Sequence, residues 1–230
     1  MSGYDENHSD VAGSSGGTEG SAGLYVRGGG PDENLILLDG VPLYNVDHLS
    51  GFFSVFTPEA VKNVNFFKGS FPARFGGRLS SVIDVRTNDG NMREYHGTTS
   101  IGILSAKFQT EGPIFKDRTS FNISFRRTYA DILVRPFLDD DEETFGYHFY
   151  DVNAKFNHRF SDNDRIFLNF YSGTDATMSE FEEGGKNFFY KDKVRMRWGN
   201  IVTALRWNHR FSPRLFGNTT AAPCGYRCES

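Results

Sequence analysis

"DVNAKFNHRF", residues 151–160, alternates without a break. Val152, Ala154, Phe156, His158 and Phe160 fall on one side and Asp151, Asn153, Lys155, Asn157 and Arg159 on the other, the period of two that a β-strand imposes on its side chains. A polar turn follows at Ser161-Asp162-Asn163-Asp164, after which Ile166, Leu168 and Phe170 resume on one face. The pattern recurs from about Gly199 to Phe211, turns at Ser212-Pro213-Arg214 and restarts at Leu215. Upstream, Phe121, Ile123 and Phe125 oppose Asn122, Ser124 and Arg126, and between Thr98 and Gly112 the residues Lys107, Gln109 and Glu111 share one face.

Alternation alone suits any antiparallel sheet with one wet side. Three further features point to a membrane instead. The segments run for about 9 to 13 residues, as a tilted strand needs to cross a bilayer, where soluble strands average about 5 to 6. Aromatic residues make up 15% of the chain. The connections are tight between Phe160 and Arg165 and between Phe211 and Leu215, but long and polar from Leu133 to Tyr147 and from Thr174 to Arg197, an asymmetry of outer-membrane barrels. His158 and His209 lie on the apolar faces near strand ends, which places them at the membrane interface and not in a ligand site.

The rest of the composition agrees with strands and turns: 23 Phe, 10 Tyr and 25 Gly in 230 residues. A formal net charge of −4 gives no footprint for a nucleic acid. No apolar run reaches 18 residues, so no helix spans a membrane, and Met1 is not followed by a secretion signal. Cys224 and Cys228 form a lone C-x-x-x-C, weak as a zinc site and compatible with a local disulfide or with no role. No pair of acids is set out as an acid and a base, which argues against a soluble glycan hydrolase.

Residues 1–19 are Gly, Ser and acid with little apolar content and read as a flexible segment. Short strands are expected at Leu24 to Arg27, Leu35 to Leu38, Asn63 to Gly69 and Ser80 to Thr87. Thr57-Pro58-Glu59 combines an N-cap, a proline at the first helical position and an acid in the first turn, which predicts a short helix from Pro58 to about Lys62. In "RGGGPDENLILLDG", residues 27–40, three glycines suggest a phosphate loop, but no helix follows and no Gly-Lys-Ser/Thr closes it. Asp39-Gly40 between apolar runs is a hairpin signal.

The series "LYVRGGGPDENLILLDGVPLYN" and "PEAVKNVNFFKGSFPARFGGRLSSVIDVRT" resembles the plug domain of TonB-dependent outer-membrane receptors, particularly the Bacteroidota type with its aromatic "GFFSVF" insert. The order is Val-Arg-Gly, a strand ending in Asp-Gly, a helix, a strand ending in Lys-Gly, a glycine loop and a strand ending in Thr. The resemblance spans about residues 18 to 90, and the later part is similar mainly in texture.

That resemblance implies a mixed α+β plug domain over residues 20–90, the first antiparallel transmembrane strands of an incomplete β-barrel over 91–222, and an atypical tail at 223–230. It implies plug residues with structural or gating roles: Arg27, Gly28, Gly29, Asp39, Gly40, Lys68, Gly69, Arg74, Gly76, Gly77 and Arg78. The glycines would let backbone pack closely, and Arg27, Arg74 and Arg78 would meet carboxylates, since a buried guanidinium without a partner is costly. The implied function is energised uptake of a scarce nutrient in the outer membrane. The plug would be held by many moderate polar contacts, and there would be no catalytic residue, metal or cofactor. Its partners would be a TonB-type energy-transducing protein gripping a segment upstream, an extracellular ligand and outer-membrane lipid. About five or six strands fit before residue 222, too few to close a barrel, so a fragment is expected. The rival is an outer-membrane binding protein or adhesin without active transport.

Overall fold

The computed structural model describes residues 14–16, 24–129, 132, 144–185 and 188–229. Two bodies of strands pack together. The first begins with β1 (Ser14–Gly16), paired antiparallel with β2 (Leu24–Val26). Part of the segment read as flexible is thus hydrogen-bonded; its remainder lies outside the described residues. The central sheet of this unit contains β3 (Asn34–Leu38), β4 (Val41–Pro42), β7 (Val61–Phe67) and β8 (Ser81–Thr87), in the order β4-β3-β8-β7. A small hairpin, β5 (Asp47–His48) with β6 (Phe53–Ser54), lies beside it.

Parallel pairing of β3 with β8 buries both in the middle of the sheet, which is why Leu35 to Leu38 reads as an unbroken apolar run and β8 buries the adjacent Val82 and Ile83 on opposite faces. Leu37, Leu38, Val82 and Val85 are all buried. The predicted hairpin is present: Asp39 (φ 51°) and Gly40 (φ 88°) are both left-handed, as the tight turn between Leu38 and Val41 requires. The predicted helix at Pro58 to Lys62 is corrected. Pro58–Ala60 makes a single 3₁₀ turn, and Val61, already extended, opens β7. The Thr57 side chain makes no capping bond, and the β-branched Val61 and Val64 pair with β8 instead of extending a helix. Other 3₁₀ turns stand at Pro31–Glu33 and Leu49–Gly51, and the described residues of this N-terminal unit contain no α-helix. The α component of the expected α+β unit is therefore reduced to single turns.

The second body is one eight-stranded antiparallel sheet. It comprises β9 (His96–Ile101), β10 (Ser105–Phe115), β11 (Thr119–Thr128), β12 (Thr144–Arg159), β13 (Asp164–Gly185), β14 (Phe188–Ser212), β15 (Leu215–Ala221) and β16 (Cys224–Glu229). From β9 to β15 each neighbour is also next in sequence, as an up-and-down barrel wall requires. The tight turns fall where they were expected. The polar stretch from Thr174 to Arg197 is not a loop: β13 and β14 continue in register as far as Gly185↔Phe188. Its polarity reflects strands that outrun a bilayer, for β14 has 25 residues where about 9 to 11 suffice. Most of the other expected long loop, before Thr144, lies outside the described residues. The tail at 223–230 is also corrected. β16 pairs with Arg197 to Val202 of β14, on the edge where β15 pairs with Leu205 to Ser212, so the two are one strand interrupted at Pro223.

Burial settles the question that alternation left open. On β11 to β14 the polar side is the covered one: Ser120, Asn122, Ser124, Asp151, Lys155, Asn157 and Asp175 are each at most 3% exposed. Phe125, Phe156, Leu168, Phe170, Leu205 and Trp207 are exposed on the other side. A water-soluble sandwich would do the reverse. This sheet turns its polar face to the N-terminal unit and its apolar face outward, the arrangement of a membrane barrel with a filled lumen. His158 and His209 sit near the short-turn rim among Phe160, Trp207 and Phe211, with edge-on ring contacts to Phe160 and Phe211 at 4.3 and 4.2 Å. Such a belt suits a membrane interface.

Candidate functional site

The polar inner face and the N-terminal unit meet along a seam of buried charge. At one end, the β5 hairpin delivers His48 between two wall carboxylates. Nε2 lies 3.0 Å from Asp151 Oδ1 and Nδ1 lies 2.9 Å from Asp175 Oδ2, with all three side chains 1% exposed. The ring stacks on Phe149 at 4.0 Å, nearly parallel. Arg126 donates to Asp151 from Nε (2.8 Å) and Nη2 (2.5 Å), and Nη2 also reaches the Ser54 carbonyl. The Tyr171 hydroxyl donates to Asp151, and the Tyr147 hydroxyl donates to Asp175 while accepting from the Leu49 N–H.

These positions follow from the strand period. Asp151 on β12 faces Arg126 on β11 and Gly173 on β13, and Asp175 is two residues beyond Gly173 on the same side. A Cβ on Gly173 would stand 2.1 Å from the Tyr171 hydroxyl, so glycine there makes room for the network. Burial pushes the His48 imidazole toward its neutral form, but the hydrogen bonds and charges of Asp151 and Asp175 outweigh it and raise its pKa above the ordinary value.

At the other end Lys155 reaches across from β12. Its Nζ donates to Asp39 Oδ1 (3.0 Å) and the Thr87 carbonyl (2.9 Å) and pairs with Asp89 Oδ1 (2.9 Å). Thr87 Oγ1 donates to the other oxygen of Asp39, and Lys62 pairs with Asp89 at 2.8 Å. Burial favours the neutral acid at Asp89, yet Lys155 and Lys62 overcome it and lower its pKa. Between these ends, Asn200 accepts from the Asn45 N–H and donates to the Asn45 carbonyl. The seam is not wholly polar: Tyr171, Val202 and Ala204 of the wall join the apolar cluster of Leu38, Val41, Val55 and Val85.

The residues singled out from sequence divide. Asp39 is in the seam. Gly40 shares its turn, facing Arg86. Gly29 is a point of close approach, since a Cβ there would lie 1.7 Å from Ser80 Oγ, and one on Gly69 would meet the Arg27 guanidinium at 2.5 Å. Gly28, Gly76 and Gly77 face open space. Lys68 lies over the Phe66 ring and Arg74 over Phe75. The expectation that Arg27, Arg74 and Arg78 meet carboxylates is corrected: all three are exposed, none pairs with an acid among the described residues, and Arg78 bonds only the Gly77 carbonyl. Without burial there is no desolvation for a partner to offset. Sequence reasoning passed over His48, Arg126, Asp151, Lys155 and Asp175 as site residues, although the alternation at 151–160 had already put Asp151 and Lys155 on the face opposite the apolar one. Both cysteines are free and exposed on β16, and four residues of strand hold them about 13 Å apart, too far to bridge. No group of metal-ligating side chains occurs among the described residues.

Comparison with known proteins accounts for this assembly. Residues 6–82 match the family described as TonB-dependent Receptor Plug Domain. Among solved structures, the siderophore receptor PirA from Acinetobacter baumannii is similar at 16% identity with a TM-score of 0.51, covering 87% of this chain and 41% of that one. The ferric enterobactin receptor PfeA from Pseudomonas aeruginosa, in a mutant form, is 14% identical at a TM-score of 0.45, covering 91% and 40%. This chain thus spans less than half the length of either, and the first likeness establishes fold alone. Residues 6–82 thus match a TonB-dependent receptor plug domain, and the chain shares its fold with part of the Acinetobacter receptor.

Proposed function

We propose that this chain is the plug and first wall of an outer-membrane receptor that takes up a scarce nutrient, with the plug gating the lumen. The observation that carries the reading is the seam: ion pairs of His48 with Asp151 and Asp175, and of Lys155 with Asp39, tie a separate small sheet to a wall whose outer face is apolar. Such contacts hold a plug in register yet exchange for water once separated, whereas a dry apolar interface of equal extent would resist release. We divide the two units at about residue 90, between the end of β8 and the start of β9. We assign the glycine motifs to plug shape and the seam charges to gating. The partners on this reading are a TonB-type energy transducer acting on a segment upstream, outer-membrane lipid, and an extracellular ligand that is a siderophore, cofactor, peptide or oligosaccharide. The function is binding and passage, with no bond made or broken.

The test needs no knowledge of the ligand. Ser124 is buried on the inner face with no hydrogen-bond partner for its hydroxyl, so Ser124→Cys, with Cys224 and Cys228 changed to Ser, is a near-isosteric reporter of plug displacement. In cells carrying the full-length receptor, a membrane-impermeant maleimide is expected to label it only when the inner membrane is energised. Labelling unaffected by a protonophore would reject energised gating and return the adhesin reading.

A further inference from the structure

We infer that the plug docks with one bound proton, held at His48, so that the seam between plug and wall is a proton-binding site. The inference takes the direction of motion from the plug reading but not its energy source. A neutral imidazole has one N–H and one lone pair. Here both ring nitrogens face carboxylate oxygens at 3.0 and 2.9 Å, so a neutral ring would set a lone pair against an anion. Only the imidazolium donates in both directions.

Charge balance leads to the same state. The groups facing His48 are Asp47 on its own hairpin, Arg126 on β11, Tyr147 and Asp151 on β12, and Tyr171 and Asp175 on β13. The tyrosines are hydrogen-bond donors and carry no charge. Asp47 is half-buried, and burial together with Asp175 raises its pKa against the lowering effect of His48. The fully buried set is then two carboxylates against Arg126 alone, or against Arg126 and an imidazolium. The first leaves a net negative charge out of water; the second is neutral.

In the undocked plug His48 meets water and titrates near the ordinary value of about 6.5. Its docked pKa is raised, so the docked state binds more protons and its extra stability is complete below about pH 6.5. That stability is lost as pH rises through the docked value. Asp89 is held below the ordinary carboxylate range by Lys155 and Lys62, outside this window.

The Ser124→Cys reporter tests this in un-energised membranes, which separates it from the gating experiment. The labelling rate, divided at each pH by that of the same protein unfolded in urea so that the titration of the thiol itself cancels, is expected to rise with pH above 6.5, by up to about tenfold per unit until the docked pKa is passed. His48→Gln, which keeps a donor and an acceptor but cannot bind the proton, is expected to flatten the profile, and Asp175→Asn to flatten it in part. A flat wild-type profile from pH 6 to 9, or an unchanged slope in His48→Gln, overturns the inference. If His48→Gln does not fold, the ¹⁵N shifts of His48 in the wild-type protein decide: an imidazolium at pH 7.5 supports the inference and a neutral tautomer ends it.

Discussion

The plug sheet and the wall sheet bury opposite things. In the plug, β8 lies between β3 and β7 with both faces covered; Val82 and Val85 fill the core, while its buried polar residues find side-chain partners within the same unit, Ser81 in Asn34, Thr87 in Asp39 and one oxygen of Asp84 in Arg86. In the wall, β12 hides Asp151, Asn153, Lys155 and Asn157 and leaves Phe156 exposed. One sheet is built for water outside and the other for lipid. The same rule of burying what the surroundings reject therefore gives inverted patterns, and the seam is where a water-type core meets a membrane-type lumen.

Substitutions sharpen that contrast. The largest effect is expected on the polar inner face. Lys155→Met leaves Asp39 without its cation and Asp89 with Lys62 alone, and should cost about 3–5 kcal/mol, read as the loss in a urea titration of plug docking. Leu38→Ala, in the apolar core of the plug, should cost about 2–5 kcal/mol by cavity formation, in the same measurement. On the outer face, Leu168→Arg should cost about 2–4 kcal/mol when folding is followed in lipid bilayers and much less in detergent micelles, where the headgroup region can deform around the charge. An equal cost in the two media would contradict a lipid-facing wall. Arg78→Ala, at an exposed loop, should change stability by no more than about 0.5 kcal/mol.

Much of this was written in the alternation. Residues 151–160 alone separate Phe156 from Lys155, and the turns at Ser161 and Ser212 punctuate the wall where the structure bends. What alternation could not say is which face is covered, because that depends on a partner about 100 residues away in sequence. His48 illustrates the limit: nothing near it in the chain distinguishes it, and its role exists only once β12 and β13 bring Asp151 and Asp175 to one side. The paired stretch beyond Thr174 was missed for a related reason. Outside the bilayer a strand has no apolar face to display, so it resembles a loop. The exposed arginines were misjudged because a motif fixes the order of residues along the chain and says nothing of how deep each one lies.

Asp39 carries two obligations at once. Its left-handed backbone makes the hairpin possible, and its carboxylate anchors Lys155 from the opposite unit. Asparagine adopts that backbone conformation as readily as aspartate but brings no charge. Exchanging a single oxygen for nitrogen would thus leave the shape of the small domain alone and loosen its grip on the cylinder, so that how the stopper is moulded and how firmly it is seated are separable properties of one side chain.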